Sequence, residues 1–424
     1  MKKQILLLLF FLLGGAYIAI NAQVTIGTGS PSMPGSLLQL KNLDETKDGG
    51  MNASRGLGLP RVTLIETDKL RPMYSYANAA NTPTDEELTA HTGLLVYNMN
   101  SCFENRGGEQ GMYVWDGSRW EPLRSQETAS SVVSLYTDQD GNSFKARHFI
   151  ATDGTDAGIW MLENLRAKHF VTQNRTGDDN TVVVVLPTVT SGMVTSSANP
   201  VWCYPGPASG DASDDTYLVK QPDLGILYNW AAATNSKGRG NESGANNASP
   251  NGDNTPGYKG DNAKIQGICP NGWHIPSDAE WNLLEKVIAT SPQLFSRYKE
   301  NESGWNYWNS AWETADNMRP NITNAGLAHG NAMKSFCQAN DYSGVFARTY
   351  GQSLAAYQGG FAVLMAGFGY SSKIDDYGFI SHIWSSTASS SNSAFNRIFF
   401  TSNAGVSRAK VSREYVGSVR CKKD

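Results

Sequence analysis

The chain has 424 residues, 40% of them hydrophobic, 10% aromatic and only 17% charged, with 42 glycines and a formal net charge of −4. That length admits two or three domains with a sizeable core, and the composition describes a globular, loop-rich chain rather than a coiled coil or a disordered tail. No basic run exceeds a few residues, so the charge pattern offers little to a nucleic acid.

Lys2 and Lys3 precede an apolar run from Ile5 to Leu13, and Asn21-Ala22-Gln23 supplies a small residue for cleavage. Residues 1–22 therefore read as a signal peptide. A membrane anchor needs about 20 apolar residues, and Gly14-Gly15 and Asn21 interrupt the run before that. No cysteine follows the run as a lipoprotein requires, and no later apolar stretch is long enough to span a bilayer. The expected location is the periplasm, the outer cell surface or the medium, with no transmembrane segment after signal cleavage. In such a compartment Cys102, Cys203, Cys269, Cys337 and Cys421 are free to form disulfides, and their odd number leaves at least one without an intrachain partner. They form no Cys-x-x-Cys, the starting point of a zinc ribbon or a thioredoxin-type site.

Residues 23–124 read as a small β-rich module. Gly56 to Leu64, Thr92 to Cys102 and Gly111 to Leu123 are strand-like runs, and Asp116-Gly117 between Trp115 and Trp120 signals a type I′ hairpin. A Ser/Thr-rich linker over 125–133 separates this module from residues 134–424. There Tyr136 to Phe149 predicts a hairpin around Asp140-Gly141-Asn142, and long polar loops cover about 172–222 and 235–262. Between the loops, Leu224, Leu227, Tyr228 and Ala231 stand at i, i+3, i+4 and i+7, which predicts a helix over 224–235. A second helix starts at Asp278, where Ser277 and Glu280 form a capping box. Its Trp281, Leu284 and Ile288 would face the core, and its Asn282, Glu285 and Lys286 the solvent. A third variable stretch runs from Ser291 to about Gln352. The chain closes with β-like runs, two of them joined by a turn at Ser402-Asn403-Ala404-Gly405.

The runs GLGLPRVTL, TGLLVYNMN and WDGSRW, in that order, resemble a leader module common in exported proteins of Bacteroidetes. The series IWMLENLR, LGILYNWAAA, CPNGWHIPSDAEW, FAVLMAGFGY, IWSST and VGSVRC resembles the Fibrobacter succinogenes major paralogous domain over about 134–424. That family is similar to C-type lectin-like folds and to the formylglycine-generating enzyme. The resemblance implies an α+β fold for this region, with two helices on a twisted antiparallel sheet, long loops and termini brought together by the last strand. It also implies a disulfide between Cys269 and Cys421, leaving Cys102, Cys203 and Cys337 unassigned.

Chemistry is harder to read. Calcium-dependent lectins use a Gln-Pro-Asp or Glu-Pro-Asn triplet after both helices and a Trp-Asn-Asp strand, whose oxygens suit a hard cation. Here Gln221-Pro222-Asp223 precedes both predicted helices, and the strand reads Trp384-Ser385-Ser386. The Asp-rich pieces at 211–215, 253–261 and 375–376 match no Asp-x-Asp-x-Asp-Gly loop, so calcium has no motif and no cofactor or metal is expected. Cys337 lacks the partner that a formylglycine-generating site needs, and no carboxylate pair stands out for a glycosidase. His274, beside Trp273 and Pro276, suits a packed, hydrogen-bonded role. No catalytic residue is therefore assigned. What remains is aromatic surface: Trp305, Tyr307, Trp308 and Trp312 crowd one polar stretch, and Tyr370, Asp376 and Tyr377 lie in another. Such rings bind sugars or protein partners, or they plug the core beneath a loop. The expectation is an exported, non-enzymatic protein whose variable loops bind a glycan or a surface protein. The alternative, a structural or adhesin scaffold subunit, would expose an apolar face on residues 24–124. Oligomeric state is not legible.

Overall fold

A computed structural model describes residues 24–28, 36–43, 52–64, 68–100, 110–123, 132–171, 184–185, 200–206, 215–235, 264–337, 351–370, 373–390 and 392–424. Residues 1–22, read from the sequence as a signal peptide, Cys102, most of the expected linker at 125–133, residues 253–261 and most of 211–215 lie outside them. The chain divides into two compact units, Met1–Arg61 and Val62–Asp424. In the first, strands Val24–Ile26 and Leu38–Leu40 pair in parallel.

Early in the second unit, strands Leu95–Asn98, Gly111–Trp115 and Trp120–Pro122 form an antiparallel meander. Alternation turns Val96, Tyr113, Trp115 and Trp120 onto one face, where they pack with Leu64 and Leu70. The hairpin after Trp115 turns one residue later than expected. Asp116 N–H donates to Arg119 O at 2.9 Å, so Gly117 and Ser118 occupy the bend, with Gly117 at φ +106°. The Asp116 carboxylate accepts the Ser118 and Arg119 N–H groups, both at 2.7 Å, and those bonds hold its pKa below the usual carboxylate range.

Among the described residues of 132–424 there are three sheets and one long helix. Strands Val133–Thr137, Ser143–Ile150 and Asp156–Met161 make a meander, closed at Asp138–Asn142 as predicted, and the final strand Lys422–Lys423 inserts between Asp156–Met161 and Trp273–His274. Strands Ile380–Ala388, Ser393–Phe400 and Val406–Ser412 make the second sheet, with Met318–Arg319 on its edge. The third joins Val184–Val185, Val201–Cys203, Leu227–Asn229, Val416–Gly417, Phe368–Tyr370 and Lys373–Asp375. The helix Asp278–Thr290 packs against the first and second of these sheets. Its Trp281, Leu284, Val287 and Ile288 share a cluster with Phe149, Trp160, Phe361 and Phe399.

This architecture corrects the expected fold class. It is β-rich rather than two helices laid on a lectin-type sheet: among the described residues only Asp278–Thr290, at 13 residues, exceeds six residues of α-helix. The helix predicted over 224–235 is instead a 3₁₀ turn at Pro222–Leu224, a strand at Leu227–Asn229 and a five-residue helix, Trp230–Thr234, capped by Asn229. Leu224, Ile226, Leu227, Tyr228 and Trp230 are all buried, so this segment is covered on every side and its helical spacing marks no single face. Gly225, at φ +64° and with no room for a Cβ against Leu165 O, makes a turn before the strand that glycine alone enters without strain.

The Ser277–Glu280 capping box forms as predicted. So does the disulfide implied by the resemblance: Cys269 and Cys421 are bonded, with Cα atoms 5.9 Å apart and 152 residues of separation. Constraining a loop of that length stabilises the native state by about 4 to 5 kcal/mol in the chain-entropy model. Cys421→Ser should lower the unfolding free energy by about that amount in urea titrations against the oxidised parent.

Candidate functional site

The long helix carries a second stripe, Asp278, Asn282 and Glu285, at spacings of four and three. It was expected to face solvent through Asn282 and Glu285, yet all three residues are buried. Arginines from three distant strands meet them. Arg397 donates from Nε to Glu285 Oε1 at 2.5 Å, from Nη2 to Asn282 Oδ1 at 2.8 Å and from Nη1 to Asp278 Oδ1. Arg319 grips Glu285 with Nη2, at 2.8 and 2.9 Å to its two oxygens. Arg408 Nε reaches Asp278 Oδ2 at 2.8 Å, and its Nη1 bonds Asp316, which Lys410 also contacts at 2.6 Å. Three guanidinium groups thus face the two buried carboxylates of Asp278 and Glu285, with the exposed Asp316 at the rim of the network. Burial by itself would raise the Glu285 pKa, but the charges of Arg319 and Arg397 outweigh it and hold that carboxyl well below the usual range.

The aromatic stretch is anchored to this network. Arg319 Nη1 donates to Trp312 O at 2.6 Å, Asn282 Nδ2 donates to Glu313 O at 3.0 Å, and the Arg319 guanidinium lies 5.9 Å from the Trp308 ring centroid. Trp308 and Trp312 meet edge to face at 5.5 Å, and both rings rest on His329 at 5.7 and 5.8 Å. His329 is buried with Nε2 3.0 Å from Glu285 Oε2; burial lowers its pKa although the Glu285 hydrogen bond works the other way.

The sequence-predicted residues separate into two kinds. Tyr307 is exposed, its hydroxyl 3.4 Å from Asn301 Oδ1, and Trp308 and Trp312 are half-buried, with Trp308 Nε1 3.4 Å from Glu313 Oε1. Trp305 is a core residue whose Nε1 donates to Ala289 O at 2.8 Å near the end of the long helix. Tyr377 is also buried, 5.2 Å from Tyr217, in a cluster with Leu224, Leu364 and Val416, whereas Trp305 packs in the Trp281 cluster. The two stretches therefore root in different parts of the core. Tyr370 is half-buried in a group of near-parallel rings with Phe368 and Tyr415, at 5.6 and 5.4 Å, neither of which periodicity singled out. Asp376 is half-buried at φ +52°.

Gln221 is buried and Pro222-Asp223-Leu224 is a 3₁₀ turn; among the described residues no group of three His, Cys, Asp or Glu side chains is arranged to hold a metal. Cys337 is disulfide-bonded, and burial pushes the free Cys203 thiol up to about 12. His274 is structural: it lies 2.7 Å from Asp424 Oδ1 through Nδ1 and 3.0 Å from Glu280 Oε1 through Nε2.

Two measurements probe these buried charges. Arg397→Met leaves Asp278 and Glu285 short of a partner, and removing one member of a buried ion pair costs about 3 to 5 kcal/mol; urea titration should register that loss. For Glu280, burial would raise the pKa, but the His274 hydrogen bond and charge, with Lys422, bring it down to about 2 from an ordinary 4.5. A depressed carboxyl stabilises the fold above its unfolded pKa and loses that contribution as pH falls through the folded value. Melting midpoints should therefore decline as pH drops from about 4.5 to about 2, and decline less in Glu280→Gln.

A family model described as the Fibrobacter succinogenes major domain matches residues 156–423, and one described as a phage tail like trimerisation region matches residues 25–135. Comparison with curated proteins and with solved structures found no match.

Proposed function

We propose, from the premise that this chain belongs to the Fibrobacter succinogenes major domain family, that it is an exported, non-enzymatic binding protein holding a carbohydrate against Tyr307, Trp308 and Trp312. The observation that carries this reading is the pinning of an aromatic loop to a buried ionic core through Trp312 O and Glu313 O. Rings held in place before a ligand arrives lose little conformational entropy on binding. Around them Asn301, Asn309 and Glu313 are exposed and Asn306 is half-buried, so amide and carboxylate groups are available to sugar hydroxyls beside an apolar surface for the ring face. Trp305 and Tyr377, being buried, serve this reading as supports rather than contacts.

The match of residues 25–135 to a trimerisation region supports a trimeric arrangement, so three weak sites act together and avidity replaces single-site affinity. Signal-peptide cleavage and export to the periplasm, cell surface or medium belong to the same proposal; the second reading, an adhesive scaffold subunit, is favoured by the exposed apolar residues Val24, Ile26, Leu38 and Leu40. No helix among the described residues is long and apolar enough to cross a membrane. A thiol-based enzyme finds no support in a disulfide-bonded Cys337 and a deeply buried Cys203.

The test is binding of the purified protein to a broad glycan array, with calcium and then with chelator. The expected result is a chelator-resistant signal weakened about tenfold by Trp308→Ala, the equivalent of roughly 1 to 1.5 kcal/mol for one aromatic contact. Chelator sensitivity would replace stacking by a cation site. No signal under either condition would overturn the carbohydrate reading in favour of a protein partner.

A further inference from the structure

The first unit has an inverted sheet. Val24 lies opposite Leu38, Thr25 opposite Gln39 and Ile26 opposite Leu40. Because side chains alternate across a strand, Val24, Ile26, Leu38 and Leu40 share one face and Thr25 and Gln39 the other. The apolar face is the exposed one, at 49, 56, 56 and 39% for those four residues, while Thr25 and Gln39 are half-buried. Leu37, Leu43 and Leu57 are exposed as well. Among the described residues from 24 to 61 no apolar side chain is buried, and the buried residue is Lys41.

This arrangement lacks what a sheet in water needs. Parallel strands occur almost only where both faces are covered, and a two-stranded sheet is marginal without a packed face. We infer that Val24, Ile26, Leu38 and Leu40 form the central apolar contact of a homotrimer, each chain's face covered by the same face of two other copies. The inference rests on the trimeric reading above and assigns its contact residues. Identical chains carry identical faces, and closed rotational symmetry brings such faces together on one axis. A second copy also suits the composition of the face, four aliphatic side chains without a charge, since a self-complementary aliphatic surface needs no opposite charge to meet it. The outer face of the meander at 95–123, with Leu95, Tyr97 and Met112 exposed, is the competing surface within the same matched region.

The test is the mass in solution, by light scattering after size exclusion, of the whole exported chain and four variants. The parent, Leu135→Glu and the pair Tyr97→Glu/Met112→Glu should run as trimers, and Ile26→Glu/Leu38→Glu at one third of that mass with the near-ultraviolet circular dichroism of its tryptophan-rich body unchanged. Leu38→Cys treated with a short bismaleimide should give chains linked in pairs on a denaturing gel. A parent trimer that persists in Ile26→Glu/Leu38→Glu, that dissociates with Tyr97→Glu/Met112→Glu, or that yields no Leu38→Cys cross-link overturns the assignment of this face and leaves the trimeric reading standing. A parent that is monomeric at every concentration removes both.

Discussion

Glu285 lies on the buried side of the long helix, with Arg319 and Arg397 bonded to its carboxylate and Arg397 also bonded to Asp278. Charged groups taken out of water are tolerated only when each finds a well-placed opposite charge and its remaining donors and acceptors are filled. The constraint is severe because the partners come from separate strands: Met318–Arg319, Ser393–Phe400 and Val406–Ser412 must all stand at the right height along the helix. A slip of one residue in any of them would turn its arginine to the opposite face. The network therefore couples the register of the second sheet to the long helix, whereas a well-packed apolar substitute can match the net stability of such buried ion pairs.

The aromatic loop inherits its order from that register. Arg319 bonds Glu285 with one nitrogen and Trp312 O with another, and His329 lies between Glu285 and the two indoles. The loop is thereby tied to the core at its backbone, while its rings stay partly open to solvent. Under the proposed carbohydrate-binding reading, such a surface draws on rigidity as much as on area, since freezing mobile side chains at the moment of contact weakens binding.

Closure at the other end of the body follows a similar logic. The last strand pairs with Trp273–His274 and with Asp156–Met161, and it is held by the Cys269–Cys421 bond, by Lys422 on Glu280 and by Asp424 on His274. Glu280 closes the capping box and accepts from Lys422, so the start of the long helix and the end of the chain are fastened by one side chain.

Local chemistry was legible in the amino-acid order: the capping box at Ser277 and Glu280, the turns around Asp140-Gly141-Asn142 and at 402–405, and the strands flanking them follow from neighbours within a few residues. Family motifs were legible too, and they carried the Cys269–Cys421 pairing, which spacing by itself could not. Tertiary structure decided what depends on residues far apart. Leu224 to Ala231 repeats like a helix yet becomes strand and short helix, because burial on all sides erases the meaning of a periodic face. Asn282 and Glu285 look like part of a solvated face, and only arginines that arrive from residues 319 and 397 make their burial possible, as Arg408 does for Asp278. The division of the aromatic residues into the core supports Trp305 and Tyr377 and the accessible Tyr307, Trp308 and Trp312 has the same origin. A ring's type is written in the chain, whereas its exposure is set by whatever the rest of the fold packs against it.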